Sequence, residues 1–130
     1  MSLEPLAAAL RDEGGLLAGA LTEPPYPPAD HGQRVRAGLG LVVEAIREGY
    51  ELHYGTPRVL APDEDDLALL AGDRLYALGL EWLARIGDLQ AVAVLADLIS
   101  DTARAHAERA PDDARAAWHE ATAKLEEPNR

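Results

Sequence analysis

The sequence predicts an all-α fold, and its composition gives the first reasons. Alanine and leucine, both strong helix formers, account for 25 and 21 of the 130 residues. Residues that favour strands are scarce, since the chain has no Phe, two Trp and four Tyr. With 48% of its residues hydrophobic, the chain can bury a core. We therefore expect one compact helical bundle over residues 1–130, with four main helices and an N-terminal helical segment.

The first part of the chain divides into a helical segment and a connector. Residues 1–22 have a helical Ala/Leu pattern that Gly14 and Gly15 interrupt, so one weak helix or two short helices would both fit. Residues 23–29 hold four prolines, which exclude a helix and favour a stiff, extended spacer. We expect the helical core to occupy residues 30–127.

The first core helix is predicted over residues 31–54, where apolar side chains recur three and four residues apart. Asp30 is a suitable N-cap for it. The face opposite the apolar stripe carries Glu44, Glu48 and Glu51. Three carboxylates at this spacing could hold Mg²⁺ if they faced inward, but we expect them to face water.

The second core helix opens on an acidic cluster at residues 63–66 and ends at Gly87. Asp63 and Asp66 have the spacing of two ligands on one helix face, which makes them weak candidates for Mg²⁺. Four acids at a helix start also satisfy free N–H groups and the helix dipole, and we favour this capping interpretation. Two further helices are predicted, one capped by Asp88 and one beginning near Pro111.

Asp73 lies among apolar residues of the second core helix. Leu69, Leu70 and Tyr76 are its neighbours at helical spacing, so we expect a desolvated carboxylate that needs a partner. The partner could be an Arg, a His, a Tyr hydroxyl or a metal ion. His53, at the end of the preceding helix's stripe, is the histidine we expect nearby, and Tyr76 supplies a hydroxyl.

The overall charge and composition exclude several classes of function. The net charge of −11 argues against nucleic acid or an anionic membrane surface as the main partner. The absence of cysteine excludes disulfides, thiolate metal sites and a catalytic thiol. No apolar run resembles a signal peptide or a membrane span, so we expect a cytoplasmic protein.

Residues 65–109 resemble part of the trans-isoprenyl diphosphate synthases, whose Leu-x-Gly-Asp-x-Leu helix is similar to the stretch from Leu69 to Ala84. Enzymes of that family bind the diphosphate through Mg²⁺ with two aspartate-rich motifs. Residues 51–55 stand where the first motif should be and contain no Asp pair. The chain is more similar to the non-catalytic small subunit of two-component long-chain prenyl diphosphate synthases.

That resemblance implies a helical protein without its own catalytic residues and without a cofactor. It would act by forming a homodimer, or a heterodimer with a prenyl synthase large subunit. The small residues Ala68, Gly72 and Gly79 would let the partner's helix approach closely.

An alternative resemblance implies an enzyme. The all-helical nucleoside triphosphate pyrophosphohydrolases hold Mg²⁺ with Glu-x-x-Glu on one helix and Glu-x-x-Asp on the next. Glu48 and Glu51 match the first motif, and Asp73 matches the end of the second. Leu70 stands where the second motif has its Glu.

Overall fold

The structure is a computed structural model that describes residues 2–126, and within this range it contains helices and no strand. The all-α prediction is therefore confirmed. The helices are α1 (Glu4–Glu13), α2 (Gly15–Gly19), α3 (Gly40–Tyr54), α4 (Asp65–Ile86), α5 (Leu89–Ala107) and α6 (Pro111–Lys124).

The N-terminal segment forms two short helices, which decides between the two alternatives. Gly14 and Gly15 have φ angles of 70° and 57°, a left-handed region that interrupts a right-handed helix. The side chains of Leu6, Leu10 and Leu17 point into the core. The segment is thus an integral part of the packing.

The proline-rich connector is tied to the rest of the chain and does not act as a free spacer. Tyr26 is buried, and its hydroxyl donates a 2.6 Å hydrogen bond to the carbonyl of Thr22. The amide of Leu3 donates to the carbonyl of Pro27 at 2.8 Å. The amide of Thr22, one residue before the connector, donates to the carbonyl of Val59 at 2.9 Å, so the start of the connector is held against the loop between α3 and α4.

Helix α3 begins at Gly40, nine residues later than the predicted start at residue 31. The prediction of Asp30 as N-cap is therefore wrong, since Leu39 occupies that position. The irregular segment before α3 is fixed from two sides. Its first amides donate to the carboxylate of Glu44, and the amide of Arg36 donates to the carbonyl of Leu125 at 2.8 Å.

The close packing of α3 against α4 depends on glycine. A Cβ on Gly49 would lie 2.9 Å from the carbonyl oxygen of Gly72, and one on Gly79 would lie 2.8 Å from Cγ1 of Ile46. The predicted close approach at Gly72 and Gly79 is correct, but the helix that approaches is α3 of the same chain. These glycines are therefore not free for a partner, and Ala68 packs against the core as well.

The ends of the later helices follow the sequence signals. Gly87 ends α4 in the left-handed conformation, with φ at 84°. Asp88 caps α5 by accepting a 3.0 Å hydrogen bond from the amide of Ala91, and Pro111 opens α6.

Across the described residues 2–126, no helix combines the length and apolarity needed to cross a membrane.

Candidate functional site

The carboxylate of Glu48 is the most buried charge in the described part of the chain. Its side chain is 0% exposed and lies against the middle of the loop that connects α3 to α4. Its oxygens accept hydrogen bonds from the amides of Arg58, Val59 and Leu60 at 2.9 to 3.0 Å. The Nε of Arg58 donates a further bond at 3.2 Å. Because donors surround both oxygens, the carboxylate is saturated.

Glu44 lies one turn earlier on α3 and makes similar contacts with a second loop. It is 3% exposed and accepts from the amides of His31 and Gly32 at 2.9 and 2.7 Å. The Nη1 of Arg58 donates to its other oxygen at 2.6 Å. Arg58 thus joins the two buried carboxylates, and its charge offsets part of theirs.

Glu51 fixes the start of the same loop from the next turn of α3. Arg47 donates to its Oε2 from Nε at 2.8 Å, and the amide of Thr56 donates to its Oε1 at 3.2 Å. The expectation that Glu44, Glu48 and Glu51 face water is therefore wrong. The physical reason is that two irregular segments carry amides with no helical partner, and these carboxylates satisfy them.

These contacts leave little capacity for a cation. The oxygens of Glu48 and Glu44 already accept from N–H donors, and Mg²⁺ needs free oxygen ligands. Between residues 2 and 126, no group of three or more His, Asp or Glu side chains is arranged to hold a metal ion. Asp63 and Asp66 are exposed at the start of α4, and the N-cap residue Glu64 makes no side-chain capping bond. The acids of this first turn can act only through the helix dipole.

Asp73 is exposed, and the prediction that it is buried is wrong. Its side chain is 70% exposed, and its Oδ1 lies 3.1 Å from Nε2 of His53. The same nitrogen lies 3.1 Å from the carbonyl oxygen of Leu69. Both neighbours are acceptors, so Nε2 carries the proton. The predicted proximity of His53 to Asp73 is thus confirmed. Glu48, which the resemblance to nucleotide hydrolases would place with Asp73, instead bonds to the loop between α3 and α4.

Tyr76 and His53 belong to an aromatic cluster formed by side chains of α3, α4 and α5. The ring of His53 meets the ring of Tyr76 edge-on at 5.3 Å, and burial raises the pKa of the Tyr76 phenol. Next to them, the ring of Tyr54 stacks on His106 at 4.1 Å. Tyr50 hydrogen-bonds to His106 through its hydroxyl at 2.7 Å. We assign the cluster to packing.

The outer face of α4 carries two adjacent exposed leucines. We define it by the exposed residues at helical spacing Asp66, Leu69, Leu70, Asp73, Arg74 and Ala77. Leu69 is 49% exposed and Leu70 is 58% exposed. At helical spacing from Asp73 these leucines predict burial, but the inner face of α4 is formed by other residues, Ala71, Gly72, Leu75, Leu78, Gly79 and Leu83.

Sequence reasoning also missed Arg58, which lies in a loop and has no motif around it. The sequence signals its role only by its place: Arg58 is a lone basic residue between Pro57 and Pro62, and it follows two glutamates that are four residues apart on α3.

Comparison with known proteins does not supply a family: no family model matches this chain, and it matches no curated protein and no solved structure.

Proposed function

We propose that this protein is a non-catalytic helical protein that acts by association, and that its first partner is a second copy of itself. The observation that carries the proposal is the outer face of α4, where Leu69 and Leu70 are about half exposed. Because about half of each side chain is still in water, complete burial would contribute about 1 kcal/mol for each leucine. A partner helix on this face would recover that free energy.

The charges on this face favour a second copy in antiparallel orientation. Asp66 precedes Leu70 by four residues, and Arg74 follows it by four. Each is therefore displaced by about 6 Å along the helix axis from Leu70. When two α4 helices cross at Leu70, Asp66 of each copy lies opposite Arg74 of the other. In such a two-fold interface the contact between Asp66 and Arg74 occurs twice, once on each side of the axis.

Arg74 is available for this contact although it already has a partner. Its Nη2 donates to Oε1 of Glu13 at 2.8 Å, and its side chain remains 47% exposed. A guanidinium has five N–H donors, so it can bind a second carboxylate.

The biological setting of the association rests on the resemblance of residues 65–109 to isoprenyl diphosphate synthases. It supports the role of a cytoplasmic subunit that completes or shapes a catalytic prenyl synthase subunit, with no cofactor of its own. Magnesium-dependent nucleotide hydrolysis has less support, because Glu48 is saturated by N–H donors and Glu51 is bonded to Arg47.

The experiment is the mass of the full chain in solution, measured by sedimentation equilibrium over a range of concentrations. We expect a dimer, and we expect Leu70→Glu to give a monomer because it places two carboxylates at the crossing point. The matched control is Leu89→Glu, since Leu89 is 80% exposed but lies at the start of α5, off this face. A wild-type chain that stays monomeric at every concentration would overturn the proposal.

A further inference from the structure

We propose that a cavity between the segment before α3 and helix α6 is a binding site for a small phosphate-class oxyanion. The cavity has a volume of about 480 Å³. Three arginines from three different parts of the chain line it, namely Arg34, Arg47 and Arg115. The whole chain has only 12 basic residues against 23 acidic ones, so this concentration of guanidinium groups is unusual for it.

Arg34 is the first group that supports an anionic ligand. Among residues 2–126 it forms no hydrogen bond and no ion pair, and it is exposed beside the cavity. Within the same residues, Arg115 is paired only with Asp112, in an exposed contact that solvent screens. A guanidinium fork binds a phosphate oxygen pair bidentately, which makes these side chains suitable ligands.

Trp118 provides an independent observation. Its side chain lines the cavity and is 5% exposed, yet its indole Nε1 has no hydrogen-bond partner in the described chain. Buried donors in native structures are normally paired, and an unpaired one calls for an explanation. An oxygen acceptor bound in the cavity would pair with this N–H after a small movement of the indole, because the nitrogen itself is buried.

The cavity also contains acidic groups. Asp30 and Glu126 line it, and their carboxylates oppose any anion, so the arginines have to outweigh them. Burial, followed by the charges of Arg47 and Arg58, lowers the pKa of His31.

The test is a titration of the full chain with inorganic phosphate, followed by isothermal calorimetry and by the indole N–H signal of Trp118 in NMR spectra. Replacing Trp82 by Phe in a second sample identifies that signal. We expect a saturable shift with phosphate and none with sodium chloride at equal ionic strength. Arg34→Ala should weaken binding about tenfold, because it removes one charge-assisted contact.

The matched control is Arg11→Ala, since Arg11 is an exposed arginine on α1, outside the cavity. It should leave the dissociation constant unchanged within about twofold. A sugar phosphate tested in the same way separates free phosphate from a phosphorylated metabolite, and tighter binding of either one supports the site. Absence of a saturable shift with both, or equal binding by the Arg34 and Arg11 variants, would overturn the proposal.

Discussion

Among single residues, Glu48 has the largest structural effect that we can assign. Its carboxylate accepts from three consecutive loop amides and from Arg58 while fully buried. The sequence could not reveal this, because Glu48 lies at a helical position that looks solvated by periodicity. Its burial depends on the path of a loop whose amides need acceptors, and no local pattern encodes that path.

We predict that Glu48→Gln lowers the free energy of unfolding by about 3 kcal/mol, because the new amide group places an N–H against the donors of the loop. Chemical denaturation followed by circular dichroism measures this. The control is Glu81→Gln, which removes only a surface ion pair with Arg85 and should cost less than about 1 kcal/mol. Equal stability of the two variants would contradict the structural role of Glu48.

Among the helices, the α3–α4 pair fixes the position of the other elements. The sequence signal for it was correct in part: Gly72 and Gly79 do mark a close helix approach. What the sequence could not tell is which helix approaches, because a glycine shows that space is needed but not what fills it. Asp73 was misplaced for a related reason, since α4 carries leucines on its outer face as well as its inner one.

Gly49→Ala tests this packing. A Cβ at Gly49 would lie 2.9 Å from the Gly72 carbonyl oxygen and 3.0 Å from Cδ1 of Tyr76, so the helices must separate. We predict a loss of about 2 kcal/mol in unfolding free energy, although alanine is the better helix former. Gly19→Ala is the control, because its Cβ would meet no atom within 4 Å. A Gly49→Ala variant as stable as wild type would show that α3 and α4 pack less closely at Gly49 than the structure indicates.

The cap of α5 should give a pH-dependent stability. The side chain of Arg36 and then the amide of Ala91 lower the pKa of Asp88 below its ordinary value of 3.8. A carboxylate with a lowered folded-state pKa stabilises above its unfolded pKa, and this contribution is lost as the pH falls through the folded-state pKa.

We therefore predict that Asp88→Asn melts below wild type at neutral pH and that the difference narrows below about pH 4. Thermal unfolding at several pH values measures both. Asp97→Asn, which changes an exposed carboxylate on α5, should show no such narrowing. A constant difference between Asp88→Asn and wild type across the pH range would refute the assignment.

For the whole molecule, the all-α class and most helix ends were predictable, because composition, Gly87, Asp88 and Pro111 are local signals. The start of α3 was not, since residues 31–39 are held by tertiary bonds to Glu44 and Leu125 that override helix propensity. The site was predictable only as a list of candidates. The prediction that His53 lies near Asp73 was correct. The predicted exposures were the wrong way round, since Glu48 is buried and Asp73 is exposed.

The central claim, association through the outer face of α4, is tested most directly by charge reversal read out as mass in sedimentation equilibrium. Asp66→Arg and Arg74→Asp should each weaken the dimer, because like charges then face each other across the two-fold axis. The double variant restores opposite charges at both contacts, so we predict that it forms a dimer again. A double variant no more dimeric than either single one, with all chains folded by circular dichroism, would contradict the account.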